Sequence, residues 1–414
     1  MKLILPYLLP SLSILATPAT AGSIPQPQSQ SPTTQPTNDP HSLCDCYLTT
    51  GQEQSYFTHY KFWDFRKVTL PQTIETTQAD PANPQNSYDL QTYPLAKSPF
   101  SHDWRAQTWD RDATPISPVP MVNTDRNVFL LKDPASTSNN SRSSFLVLRT
   151  TRFADHASTA EVEGLFGYIY HCSLRMRLRM MSRDAIVQQA AVPSTGIAVN
   201  PPAQAQAVPR GSCAGIFTYR SAVCESDIEI LTSEDPHTVH YANQPDYDPI
   251  SDTSIPGASS IVNLSTPWTS WVTHRLDWLP NMSAWYADDK LQSNSTYSIP
   301  DRPSIVAMNL WSNGGNWSGD MRVGDSVYMG IEWIELLYNV TKADQDLPIK
   351  DHPGHRVHYR RPLDLASMGD GIPDSSAEAP RDYVDLQTAK KSGCQRPCRV
   401  DQWHHACGAF EPAS

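Results

Sequence analysis

Beyond its N-terminus the sequence has no run of the ~18 apolar residues that a membrane-spanning helix needs, so no span is expected there. Positive charge is short too. The 32 Lys and Arg face 43 Asp and Glu, a formal net charge of -11. A chain this acidic has no general attraction for nucleic acid, and no nucleic-acid partner is expected. Segments with a 3.6-residue apolar period are almost missing, which argues against helix bundles and alternating strand–helix folds. The glycine cluster Gly314-Gly315-Asn316-Trp317-Ser318-Gly319 has no lysine and precedes no helical pattern, so it is not a phosphate loop. No Asp-x-Asp-x-Asp-Gly loop is present, and neither a metal nor another cofactor is expected.

What is present points first to secretion. Lys2 precedes a mostly apolar stretch from Leu3 to Ala16, and Ala19-Thr20-Ala21 fits a small-x-small cleavage site before Gly22. Residues 1–21 read as a signal peptide; the run is too short, and too broken by Pro6 and Pro10, for an anchor. Residues 22–43, rich in Pro, Gln, Ser and Thr, read as a disordered linker. Asn-x-Ser/Thr acceptor patterns begin at Asn139, Asn263, Asn281, Asn294, Asn316 and Asn339. With the leader they describe a glycosylated extracellular protein. The 8 cysteines should partly pair in such a compartment, with connectivity left open. Cys394-x-x-x-Cys398 with His404, His405 and Cys407 has the residue types of a zinc set, but secretion favours disulfides or disordered thiols.

The rest of the chain is strand-like. Tyr56 to Phe65 is dense in aromatics and β formers, and residues 71–98 read as a long polar loop. Val128 to Leu131 and Phe145 to Arg149 flank a Ser/Asn-rich turn. From Phe166 to Met180 apolar and polar residues alternate; Arg175, Arg177 and Arg179 share one face, either solvated or lining a cleft. Residues 184–210 show no periodicity and read as a flexible insertion. Further strands are expected over Ala214 to Tyr219, Thr238 to Asn243, Val272 to Trp278, Ser283 to Ala287, Ile305 to Trp311 and Ser326 to Val340. Residues 342–414 are polar and charged, and read as a disordered tail. Many strands between turns predict an all-β sandwich or jelly roll over residues 44–341.

One stretch carries chemistry. In Cys224-Glu225-Ser226-Asp227-Ile228-Glu229-Ile230-Leu231 three acids fall at every second position. On a strand Glu225, Asp227 and Glu229 project to one side, while Ile228 and Ile230 face a core. An edge strand uses acids to discourage pairing. A pair of carboxyl groups is also what cleavage of a glycosidic bond requires.

Gly215-Ile216-Phe217-Thr218-Tyr219 followed by the acidic strand resembles the catalytic region of glycoside hydrolase family 16, the laminarinase and lichenase group, with its Glu-x-Asp-x-Glu signature. His274-Arg275-Leu276-Asp277-Trp278, then Trp285-Tyr286-Ala287-Asp288, and later Met308-Asn309-Leu310-Trp311 with Gly314, Gly315 and Trp317, are similar to that family's downstream motifs in the same order. The chain looks like a fungal-type secreted member. The resemblance implies a β-jelly-roll of two antiparallel sheets with a concave cleft, and a retaining endo-acting mechanism. It makes Glu225 the nucleophile, Glu229 the general acid/base and Asp227 the carboxylate between them. Trp109, Tyr219, Trp311 and Trp317 become candidates for sugar stacking, against the plainer role of core filling. Asn243, Gln244 and Asn309 become candidates for hydroxyl contacts; His274 suits a structural or a cleft position. Ser226 departs from the aliphatic residue usual there, and its hydroxyl on the core side needs a partner. The expected partner is a β-glucan, bound by a monomer. Cell-wall transglycosylation on the same site and noncatalytic glycan binding remain the alternatives.

Overall fold

The computed structural model describes residues 44–68, 70, 75–76, 91–132, 144–190, 207–248, 251, 253–340, 394 and 396–400. The signal peptide, the linker, Asn139, residues 191–206 of the insertion and most of the tail, with Cys407, lie outside the described residues. The alternating strands build an all-β jelly-roll sandwich of two antiparallel sheets. The outer sheet runs Lys290–Ser295, Ser283–Ala287, Val272–Trp278, Cys172–Ser182, Ser326–Tyr338. Beyond the last of these, Ser144–Arg152 pairs with one half and His59–Asp64 with the other; Val128–Lys132 and Gln91–Pro94 follow Ser144–Arg152. All of Ser326–Tyr338 is buried, as suits a strand covered on both faces.

The second sheet runs Trp104–Ala106, Ala157–Gly164, Ile305–Trp311, Cys213–Ser221, Cys224–Leu231, Thr238–Asn243, Ser259–Asn263. The sheets meet at one edge through Thr151 with Ser158 and Arg152 with Ala157. At another, Ser260 Oγ donates to Ser293 Oγ at 2.7 Å.

The core lies between the sheets. Ile216, Ile228, Ile230 and Tyr241 of the second sheet belong to one buried cluster with Met176, Leu276, Trp278, Trp285 and Leu336 of the outer one. Tyr241 stacks on Trp285 with ring centroids 5.7 Å apart. Each such side chain contributes roughly 1.5–3 kcal/mol by leaving water. His274 also faces this core. Its ring nitrogens have no hydrogen bond among the described residues, and burial lowers its pKa to about 4, so it is a neutral core residue rather than a cleft residue.

The arginine row faces away from both core and cleft. Arg175 pairs with Glu335 at 3.2 Å and Arg177 with Glu332 at 2.8 Å, while Arg179 lies over the Trp271 ring. Arg175 and Glu335 are each 1 % exposed, so this face is not simply solvated. Nearby, Arg275 clamps Asp277 through two hydrogen bonds and donates to Thr50 O. Burial charges such pairs a desolvation cost, so they specify geometry more than they stabilise.

A small three-stranded sheet adds to this side. Cys46–Thr49 pairs antiparallel with Ser55–Phe57 and parallel with Pro397–Arg399. Cys44–Cys398 and Cys46–Cys394 disulfides join the chain's two arms, and Phe57 and Val400 pack on Leu279 and Leu337. Residues 396–400 therefore depart from the disordered tail expected of them. The pairing was illegible because it joins positions 354 and 348 residues apart. Arg183–Ala190 is an α-helix, not a structureless start to the insertion; Ile186 anchors it against Phe145, Met181 and Tyr328. Within the expected 71–98 loop, Gln91–Pro94 is a strand. The alternation from Phe166 splits: regular strand begins only at Cys172.

Candidate active site

The acidic strand is buried along its whole length, which is unlike a solvated edge. Pairing on both sides, with Cys213–Ser221 and Thr238–Asn243, makes it internal. Ile228 and Ile230 enter the core, so strand alternation sends Glu225, Asp227 and Glu229 to the other face. Cross-strand partners share that face. Tyr219 stands opposite Glu225, Phe217 and Ala242 opposite Asp227, and Gly215 and His240 opposite Glu229.

The carboxyls of Asp227 and Glu229, and the backbone of Glu225, have local hydrogen-bond partners. Gln244 Nε2 donates to Asp227 Oδ2 at 2.8 Å, and Gln244 Oε1 accepts from Asp246 N at 3.1 Å. Gln244 N also donates to Glu225 O at 3.0 Å. The thiol of buried Cys213 donates to Glu229 Oε1 at 3.4 Å. His240 is held by Glu234 at 2.7 Å and meets Trp317 edge-on at 5.1 Å. Burial, then the Asp227 carboxylate, pushes Asp246 up to about 6. The hydroxyl of Ser226, on the core side, has no hydrogen bond among the described residues.

Beside the acids lies a pocket lined by Trp109, Glu161, Asn309, Trp311, Asn316 and Trp317, among others. The ladder gives its position. Glu161 pairs with Asn309, Asn309 with Gly215, and Gly215 with Glu229, so one rung leads from pocket to acidic strand. Three strand spacings of ~4.8 Å separate Glu161 from Glu229, about 14 Å. Glu161 is 1 % exposed, and neither carboxyl oxygen has a hydrogen bond among the described residues. Burial first, then the Glu163 carboxylate, pushes its pKa to about 8; the Trp109 indole opposes the rise without hydrogen-bond geometry. At neutral pH Glu161 is therefore mostly a carboxylic acid, able to donate. The glycine loop closes the pocket tightly: a Cβ on Gly315 would lie 2.3 Å from Ile116 O.

The structure gathers Trp109, Asn309, Trp311 and Trp317 at the pocket, and Tyr219 and Gln244 beside the acids. Asn243 is a correction. It pairs with Ser226, so it faces the core; it is fully buried, and its Nδ2 donates to Tyr297 O at 2.8 Å. Consecutive strand residues take opposite faces, so Asn243 and Gln244 do not both reach the site. Glu161, His240, Asp246 and Cys213 escaped the sequence reading. For Glu161 the signal existed: Glu161 and Glu163 repeat the every-second-residue acids that marked the triad.

No protein-family model matches the chain. Over 86 residues it is 33% identical to a beta-glucanase of Paenibacillus polymyxa, covering 20% of this chain and 36% of that protein. Over 77 residues it is 34% identical to a beta-glucanase of Bacillus licheniformis, covering 18% and 32%. The chain is similar to bacterial β-glucanases. It spans about a third of the length of the curated relatives it matches. Among solved structures, a Bacillus licheniformis beta-glucanase covers 60% of this chain with 97% of its own, at 19% identity and a TM-score of 0.41. A beta-1,3-1,4-glucanase (lichenase) from a mouse hindgut metagenome covers 68% with 98% of its own, at 16% identity and a TM-score of 0.40.

Proposed function

We propose that the protein is a secreted endo-β-glucanase of glycoside hydrolase family 16. It cleaves β-1,3 or mixed β-1,3/1,4-glucan with retention of configuration. The carrying observation is the triad's placement: three buried acids on one internal strand face, joined along a ladder rung to an aromatic pocket. Tryptophan rings offer broad apolar faces for sugar rings, and Asn309 and the protonated Glu161 offer polar contacts to hydroxyls.

Protonated Glu229 gives its proton to the glycosidic oxygen as Glu225 attacks the anomeric carbon. The leaving sugar departs as an alcohol, and a glycosyl ester forms on Glu225. Ionised Glu229 then takes a proton from water, whose oxygen attacks the same carbon and releases Glu225. Asp227 between the two disfavours a second and third negative charge, which helps keep Glu229 protonated. The ladder is regular from Glu225 to Leu231; its irregularity lies between Tyr219 and Ser221. Cα positions four residues apart on a strand are about 13 Å distant, so side-chain lean must bring the carboxyls together.

Two disulfides favour an oxidising compartment, which supports secretion. Asn263, Asn281 and Asn294 are exposed and suit glycosylation. Asn339 is less suited, since its amide accepts from Thr58 and donates to Tyr56 O.

The test is release of reducing ends from laminarin and mixed-linkage glucan by wild type and Glu225→Gln. Full activity in Glu225→Gln would remove the site assignment. Binding without release from any β-glucan would favour a noncatalytic module, and products longer than a supplied oligosaccharide would favour transglycosylation.

A further inference from the structure

Cys213 has no place in the mechanism above, yet its thiol donates to Glu229 Oε1. Two strands make this contact possible. Glu229 stands directly opposite Gly215, which has no side chain to fill the space between them. Cys213 lies two residues before Gly215, on the same face, and is fully buried. Diagonal neighbours across an antiparallel pair are ~7–8 Å apart, within reach of a glutamate side chain. Met121, Leu231 and Trp311 form the buried apolar cluster around it.

We infer that Cys213 is a positioning residue for the general acid/base: its thiol fixes which oxygen of Glu229 carries the catalytic proton and tunes how readily it is held. The inference rests on the reading of Glu229 as that acid/base. An oxygen accepting from S–H is the unprotonated oxygen of the carboxylic acid, so the proton sits on Oε2. The same contact persists after Oε2 has given its proton away. A donor to a carboxyl group favours the ionised form, but a thiol is a weak donor. Cysteine therefore orients the carboxyl while lowering its proton affinity less than serine would.

Other groups act on Glu229 and stay constant across substitutions at 213. From its own strand these are Glu225 and Asp227; from the strand alongside, His240 with its partner Glu234. Asp246 acts through Asp227, Tyr219 stands opposite Glu225, and Glu161 and Arg111 line the neighbouring pocket.

The experiment compares pH profiles of kcat for wild type, Cys213→Ser and Cys213→Ala on one soluble β-glucan. The alkaline limb should move down by about half a pH unit in Cys213→Ser and up by a similar amount in Cys213→Ala, while KM changes less than twofold. A merely structural role would lower kcat without moving the limb, and identical limbs in all three proteins overturn the inference. Carboxyl-carbon NMR titration of Glu229 in the same proteins gives a readout independent of turnover. The same order, Ala above Cys above Ser, is expected there; equal values overturn the inference. If no β-glucan is cleaved but the NMR order holds, the enzymatic reading fails and the contact stands.

Discussion

Gln244 holds Asp227: its Nε2 donates to Asp227 Oδ2 at 2.8 Å, and its Oε1 takes the N–H of Asp246. One side chain thus ties the middle acid of the triad to the turn that follows the neighbouring strand. Replacing it by Leu removes a buried donor to a carboxylate and leaves that oxygen short of a partner. The expected cost is about 1–3 kcal/mol of stability. kcat should also fall several-fold, because Asp227 loses its fixed orientation. Urea unfolding beside steady-state kinetics measures both; unchanged kcat would show that Asp227 needs no such tether.

Glu229→Gln cannot donate or recover a proton. Hydrolysis of a glucan should slow by about 10²–10⁴-fold. An aryl β-glucoside whose phenol leaves without protonation should lose much less in the first step. Equal losses on both substrates, followed by burst kinetics, would place the acid elsewhere.

Glu161 makes stability depend on pH. Its folded pKa, about 8, lies above the ordinary value of 4.5. Below the ordinary value both folded and unfolded chains hold the proton, and the buried neutral form contributes fully. As pH rises from 4.5 toward 8 the unfolded chain ionises first, so stability drops by up to about 1.4 kcal/mol per unit. Glu161→Gln should flatten the melting temperature across this window. A slope matching the wild type would assign the effect to other groups, such as Glu163 or Asp246, each raised to about 6.

Cys44→Ser with Cys398→Ser should cost at most about 2–4 kcal/mol, because the unfolded chain gains more freedom than the folded one while Cys46–Cys394 still closes nearly the same loop. The acids lie on the other large sheet. Thermal denaturation should therefore show a lower Tm, while kcat at low temperature stays within about twofold of wild type.

Local periodicity made the sandwich legible: Ile228 and Ile230 in the core require Glu225, Asp227 and Glu229 outside it, whatever surrounds them. Ala157–Gly164 was illegible for the converse reason. Ala157, Ser158, Thr159 and Ala160 carry little apolar signal, and pairing with Met121–Asn123, Ser144–Arg152 and Ile305–Trp311 makes the segment a strand. The Cys213 contact depends on register, which neither strand encodes alone. Asn243 failed through a rule already available, the alternation that places Tyr241 in the core and Gln244 at the site. The Pro397–Arg399 strand depends on covalent partners at the other end of the chain.

Those covalent partners change what backbone cleavage does. Cys44–Cys398 and Cys46–Cys394 close the chain into a ring that contains both large sheets. A protease cutting once between residues 341 and 393 opens the ring without releasing either piece. The nicked protein should run as one species on a non-reducing gel and as two fragments once reductant is added, with its catalytic strand still enclosed in the sheet that carries it.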